Sequence, residues 1–170
     1  MSLLIVNTLP PEDAGAAAAI AQLGRGRESC RVIATAGLRL APCCGCNDCW
    51  LVTPGLCRLK DDYPQLLQAY LQYDDIIFIS NTALGFVDYT MKNIVDRVLP
   101  LFEMYLFFKD GQMRHVPRYD RKWRFGLLYA GQAEQDYLRQ WLERFCVNML
   151  SESLGAYPLE QAGEVAKCIC

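Results

Sequence analysis

The pattern that most narrows the fold is a series of short, unbroken apolar runs, each followed by a segment with helical spacing. The runs are "LLIVN" at 3–7, "CRVIAT" at 30–35, "DIIFIS" at 75–80 and "RFGLLYA" at 124–130. A strand with one wet face alternates apolar and polar residues, whereas an unbroken run is buried on both faces, as parallel strands are. Parallel neighbours need crossovers, and crossovers are right-handed. The helical segments supply them. "EDAGAAAAIAQLG" has Glu12 and Asp13 suited to a helix start and Gly24 to its end. "YPQLLQAYLQY" repeats Leu66, Leu67, Tyr70 and Leu71 at helical spacing, and a further helix carries Met91, Ile94, Val95 and Val98. "EQDYLRQWLERFCVNML" places Leu138, Trp141, Leu142, Phe145 and Met149 on one stripe. "AYPLEQA" reads as a short fifth strand, and 163–170 as a possible flexible tail. The expected architecture is α/β, a parallel sheet covered by helices on both faces. At 170 residues the chain fits one domain, 1–170, large enough to bury a core without disulfides.

Composition removes several classes of partner. The formal net charge of −2 argues against nucleic acid and against an anionic membrane surface, both of which need a dense basic patch. The run "RYDRKWR" at 118–124 is broken by Asp120 and reads as a solvated loop before a strand. No apolar run is long enough to cross a bilayer, and "SLLIV" is too short for a signal peptide. The expectation is a cytoplasmic protein in which nine cysteines serve as thiols or metal ligands rather than a disulfide frame.

In parallel sheets ligands bind beyond the carboxyl ends of the strands. That places a site at loops 8–13, 81–87 and 131–134, with the loop after the second strand on the same edge. This last loop, "APCCGCNDCWLVTPGLCRLKDD" at 41–62, holds five cysteines. Cys43, Cys46, Cys49 and Cys57 stand in a C-x2-C-x2-C-x7-C arrangement, a spacing that can wrap an iron–sulfur cubane. Four thiolates also suit zinc. Unmetallated thiols are the third state, with a low-pKa CxxC redox pair, Cys43–Cys46 or Cys46–Cys49, as a special case. Trp50 and Pro54 are expected to fix this loop, and Cys30 and Cys146 to lie in the core. There is no Ser-His-Asp set around the lone His115, and no P-loop or GxGxxG follows the first strand.

The motifs "CxGCxxCW…TPGxCxxxDD" and "TALGF…KNIVDRVLPLF", in this order over 42–131, resemble the NADPH-dependent FMN reductase group of flavodoxin-like proteins, which includes the iron–sulfur flavoproteins. The resemblance implies a flavodoxin-like three-layer sandwich with a five-stranded parallel sheet in the order 2-1-3-4-5. It also implies non-covalent FMN, NAD(P)H as reductant, a small-molecule electron acceptor, and a homodimer or tetramer. For the four cysteines it implies a 4Fe–4S cluster. Carried onto this chain, Asn81, Thr82, Ala83, Leu84, Gly85 and Phe86 would embrace the isoalloxazine ring, with Ala130, Gly131 and Gln132 closing its other side. Lys92, Asp96 and Arg97 match the "K…DR" helix, where Lys92 and Asp96 also read as an ordinary i,i+4 surface ion pair. His115 with Arg118 and Tyr119 would border the substrate opening, although a structural role for His115 is the plainer reading.

The phosphate end departs from the group's pattern. In place of a Gly-Ser-x-Arg loop the chain has "NTLPPEDAG". Pro10 and Pro11 have no N–H to offer, and Glu12 and Asp13 put carboxylates where an anion should sit. At about 6 Å and an effective dielectric near 20, each repels a unit negative charge by roughly 3 kcal/mol before screening. Asn7 and Thr8 are the remaining side-chain donors, so weak or absent FMN retention is expected. Three functions follow from the sequence. The first is an NAD(P)H-dependent FMN oxidoreductase reducing flavin, quinone or a similar acceptor, with no protein acid or base assigned. The others are a cysteine-loop electron-transfer or redox-sensing protein, and a scaffold that has lost its cofactor.

Overall fold

The computed structural model describes residues 2–169. Strand β1 (Leu3–Asn7) is buried along its whole length. It lies between β2 (Cys30–Ala34) and β3 (Asp75–Ala83), parallel to both. Strands β7 (Arg124–Ala130) and β8 (Glu152–Pro158) extend the sheet beyond β3, giving the spatial order β2-β1-β3-β7-β8 with every pair parallel. Renumbered along the sheet-forming strands this is 2-1-3-4-5, the flavodoxin-like order.

Alternate residues of each strand feed opposite cores, as the two-residue period requires. Leu4, Val6, Ile76, Phe78, Phe125 and Leu127 point to one face. There they meet α3 (Pro64–Tyr70), α4 (Tyr89–Asp96) and α5 (Gln135–Asn148) through Leu66, Met91, Ile94, Leu138 and Leu142. Leu3, Ile5, Ile77, Ile79 and Leu128 point to the other face. That face is covered by α1 (Ala14–Gly24) through Ala16, Ala19 and Leu23, and by α6 (Ala162–Ile169) through Val165 and Ile169. Helix α6 occupies most of the segment read as a tail, because Val165 and Ile169 recur one turn apart on an apolar face.

Several elements depart from the sequence reading. Strand β8 begins at Glu152, earlier than the expected "AYPLEQA", pairing with β7 around an irregularity between Phe125 and Leu127. Cys30 is exposed, not core, because β2 is an edge strand with most side chains partly wet. Cys146 is buried as expected. Within 118–124, Trp123 is 1% exposed and donates to the Tyr70 carbonyl at 2.7 Å, so that segment is not wholly a solvated loop. The stretch after α4 forms an antiparallel hairpin of β5 (Phe102–Lys109) and β6 (Gln112–Pro117). Its turn, Asp110-Gly111, has both residues at positive φ, the geometry that matches the twist of a two-residue hairpin. No helix among the described residues is long and apolar enough to cross a membrane.

Candidate functional site at the carboxyl ends of the strands

The polar residues at the ends of β1, β3 and β7 come together as the parallel register requires. Asn7 pairs with Ile79, and Asn81 with Ala130. Segment 81–87 is not a free loop. Strand β3 continues to Ala83 and folds back on β4 (Phe86–Val87), with Thr82 opposite Val87 and Ala83 opposite Phe86. The turn residues Leu84 and Gly85 are both at positive φ (53° and 78°). Leu84 is fully exposed, and nothing stands within 4 Å of where a side chain on Gly85 would begin. That opening lets a flat ligand approach the backbone.

The turn is bound to the loop after β7. The Thr82 hydroxyl lies 3.0 Å from the Ala130 carbonyl and 3.1 Å from that of Gln132, and Gly85 bridges to Ala133. Gly131 has φ 88°, and a Cβ there would fall 2.5 Å from the Thr82 hydroxyl. Asn81, Thr82, Ala83, Leu84, Gly85, Ala130, Gly131 and Gln132 therefore form one continuous, solvent-facing surface. Phe86 does not belong to it. Its ring turns inward against Trp141 (5.1 Å, edge-on) and Tyr137 (5.8 Å), anchoring the turn to α5.

The β1–α1 turn has its polar groups already engaged. The Asn7 side-chain carbonyl accepts the Leu9 N–H at 3.1 Å, and the Thr8 hydroxyl donates to the Ile79 carbonyl at 3.2 Å. The Asp13 carboxylate is the N-cap of α1, accepting the Ala16 N–H at 2.8 Å, with Glu12 exposed beside it. A phosphate at this helix start would need the N–H that Asp13 holds and would meet two carboxylates. This turn does not suit the phosphate of FMN.

The cysteine loop is organised by a residue whose reach the sequence did not reveal. Arg97, at the end of α4, is 2% exposed and turns into the loop. It forms a bidentate pair with Asp61, donates to the Ala41 carbonyl at 2.8 Å and to the Cys57 sulfur at 3.3 Å, and stacks on Tyr63 at 4.3 Å. Trp50, on the short helix α2 (Asp48–Leu51), fixes the other side of the loop by donating to the Leu99 carbonyl at 2.9 Å, and its ring lies 4.7 Å from that of His115 at a 35° tilt. The His115 Nδ1 is 2.9 Å from the Glu103 carbonyl, a structural position. Lys92 and Asp96 form the exposed pair, at 2.6 Å.

Cys43, Cys46, Cys49 and Cys57 do line one recess, with Arg97, Leu99 and Pro100. The recess holds about 20 Å³, room for about one water. Among the described residues no three His, Cys, Asp or Glu side chains converge as ligands of a metal ion. The 4Fe–4S expectation therefore has no support in this arrangement. Burial, with the neighbouring Cys57, Cys43 and Cys46 adding to it, pushes the Cys49 thiol up to about 11, which works against a low-pKa pair involving Cys49.

Burial alone would raise the Asp61 carboxyl, but the hydrogen bonds from Arg97 and from the Ala41 and Tyr63 amides outweigh it and hold it below the usual range. A group whose folded pKa is depressed stabilises the protein above its unfolded value, near 4 for Asp. The stabilisation is lost as pH falls through the lower, folded value. Denaturation midpoints measured from pH 6 downward should drop in that acid window, and Asp61→Asn should flatten this part of the drop.

A groove lies elsewhere, between α4, α5 and the β5–β6 hairpin, with a volume of about 530 Å³ and walls that include Phe102, Leu106, Met113, Trp141 and Phe145. The sequence reading missed it with the hairpin; Asp110-Gly111 between two apolar runs was the available signal.

No protein-family model matches the chain, and no curated protein matches it by sequence. Solved structures do match in three dimensions. RosB, solved with the bound intermediate 8-demethyl-8-formylriboflavin-5'-phosphate, aligns with a TM-score of 0.63 at 18% identity, over 92% of this chain and 64% of that one. An FMN-dependent NADH-azoreductase from Bacillus anthracis in complex with FMN aligns at 0.55 and 11% identity, over 99% and 97%. A flavone reductase aligns at 0.59 and 12% identity over 98% of this chain, which spans 60% of that protein's length. At these identities the similarity is one of fold: the chain is a flavodoxin-like α/β sandwich.

Proposed function

We propose that the protein is an NAD(P)H-dependent flavin oxidoreductase, with the isoalloxazine ring seated on the surface formed by 81–85 and 130–132. The observation that carries the reading is the joined pair of loops at the ends of adjacent central strands, with open backbone at Gly85. When bound, the flavin ring supplies the hydride and electron transfer. The protein positions the ring through backbone amides and through the Thr82 brace, and no side-chain acid or base is needed. The structures similar in fold include reductases whose names specify FMN and NADH, which supports the same reading. A small-molecule acceptor and self-association belong to the proposal; the exposed Tyr105, Leu106, Phe108 and Met113 of the hairpin support the latter. Protein mixed anaerobically with riboflavin or FMN, and then with NADPH or NADH, should bleach the visible flavin bands faster than the protein-free mixture. Bleaching at the protein-free rate in every pairing would reject the reading.

A further inference from the structure

We propose that this site takes a flavin without its terminal phosphate, binding riboflavin in preference to FMN. The inference rests on the flavin reading of the strand-end surface and concerns only the ligand's tail. The end of β1 lies beside that of β3, so a tail running from a ring at the ends of β3 and β7 toward β1 would reach the turn that opens α1. At that turn the side-chain oxygen of Asn7 holds the Leu9 N–H, and the Thr8 hydroxyl is spent on the Ile79 carbonyl. Pro10 and Pro11 carry no N–H. Asp13 fills the N-cap position with its own carboxylate, so the helix start is already occupied by an anion.

No Lys or Arg stands within residues 1–24. The first basic side chain of the sequence is Arg25, at the far end of α1. A second anion brought to this turn meets Glu12 and Asp13 without a counter-charge from β1 or α1. A ribityl chain ending in a hydroxyl meets the same carboxylates as hydrogen-bond acceptors. The groups that repel FMN are therefore suited to riboflavin.

Equilibrium titration of the cofactor-free protein with riboflavin, FMN and lumiflavin, followed by flavin fluorescence, tests this. Lumiflavin has no tail and reports the ring surface alone. At low salt FMN should bind about ten-fold or more weakly than riboflavin, and added salt should narrow the gap. Glu12→Gln, and separately Glu12→Gln with Asp13→Asn, should raise FMN affinity and narrow its gap to riboflavin, while lumiflavin changes by less than about two-fold; the start of α1 is kept, since Asn also caps helices well. FMN binding as tightly as riboflavin, or tighter, overturns the inference, and lumiflavin binding in that case leaves the flavin reading standing. An unchanged FMN affinity in both variants also overturns it. Failure of all three flavins to bind removes the flavin reading, and the inference with it.

Discussion

Arg97→Met is expected to lower the unfolding free energy by about 3–5 kcal/mol, because it strands a buried carboxylate without its counter-charge. Asp61 would keep only the amides of Ala41 (2.8 Å) and Tyr63 (3.3 Å), and the Ala41 carbonyl would lose its own partner. The aromatic face of Tyr63 would lose its cation as well. Denaturant midpoints measure the loss. Adding Asp61→Leu to Arg97→Met should recover much of it, because replacing both members of a buried pair with apolar groups is often neutral. Arg97→Met alone should expose Cys49, now buried within the loop, to thiol reagents. A midpoint equal to that of the parent protein would show that the loop is held by other contacts.

Gly131→Ala is expected to weaken flavin binding by about ten-fold or more. A non-glycine residue at this φ costs about 1–2 kcal/mol, and the lost Thr82 hydrogen bond adds roughly 1 kcal/mol. The Cβ would displace the Thr82 hydroxyl, which holds the β3–β4 turn to the loop after β7. The change lies at the solvent-facing carboxyl end of β7, so global stability should fall by no more than about 2–3 kcal/mol, less than in Arg97→Met. Titration with riboflavin and a denaturation curve on the same preparation separate these effects. Thr82→Val, which removes the brace without straining the backbone, should reproduce part of the affinity loss.

The two variants also mark what could be read from the sequence. The central strands were legible because burial on both faces leaves unbroken runs, and "LLIVN" and "RFGLLYA" match β1 and β7 residue for residue. The residues of the β3–β4 turn were named through motif resemblance, but the inward turn of the Phe86 ring was not legible, since it depends on Trp141, far away in the chain. Arg97 was visible as part of a helix motif, but its partner Asp61 lies 36 residues away, and no local pattern joins them. The cysteines illustrate the opposite hazard. Their spacing permits a cluster, while the volume of the recess depends on how Leu99 and Pro100 pack, which spacing does not encode. The Pro10 to Asp13 turn needed no tertiary information, because missing N–H groups and fixed charges are properties of the residues themselves.

Amide hydrogen exchange of the protein saturated with riboflavin, compared with the protein alone, tests the placement of the flavin most directly. The expected result is added protection at 81–85 and 130–132, and none in the groove between α4, α5 and the hairpin. Protection confined to that groove, or to the cysteine loop, would contradict a ring bound at the carboxyl ends of β3 and β7.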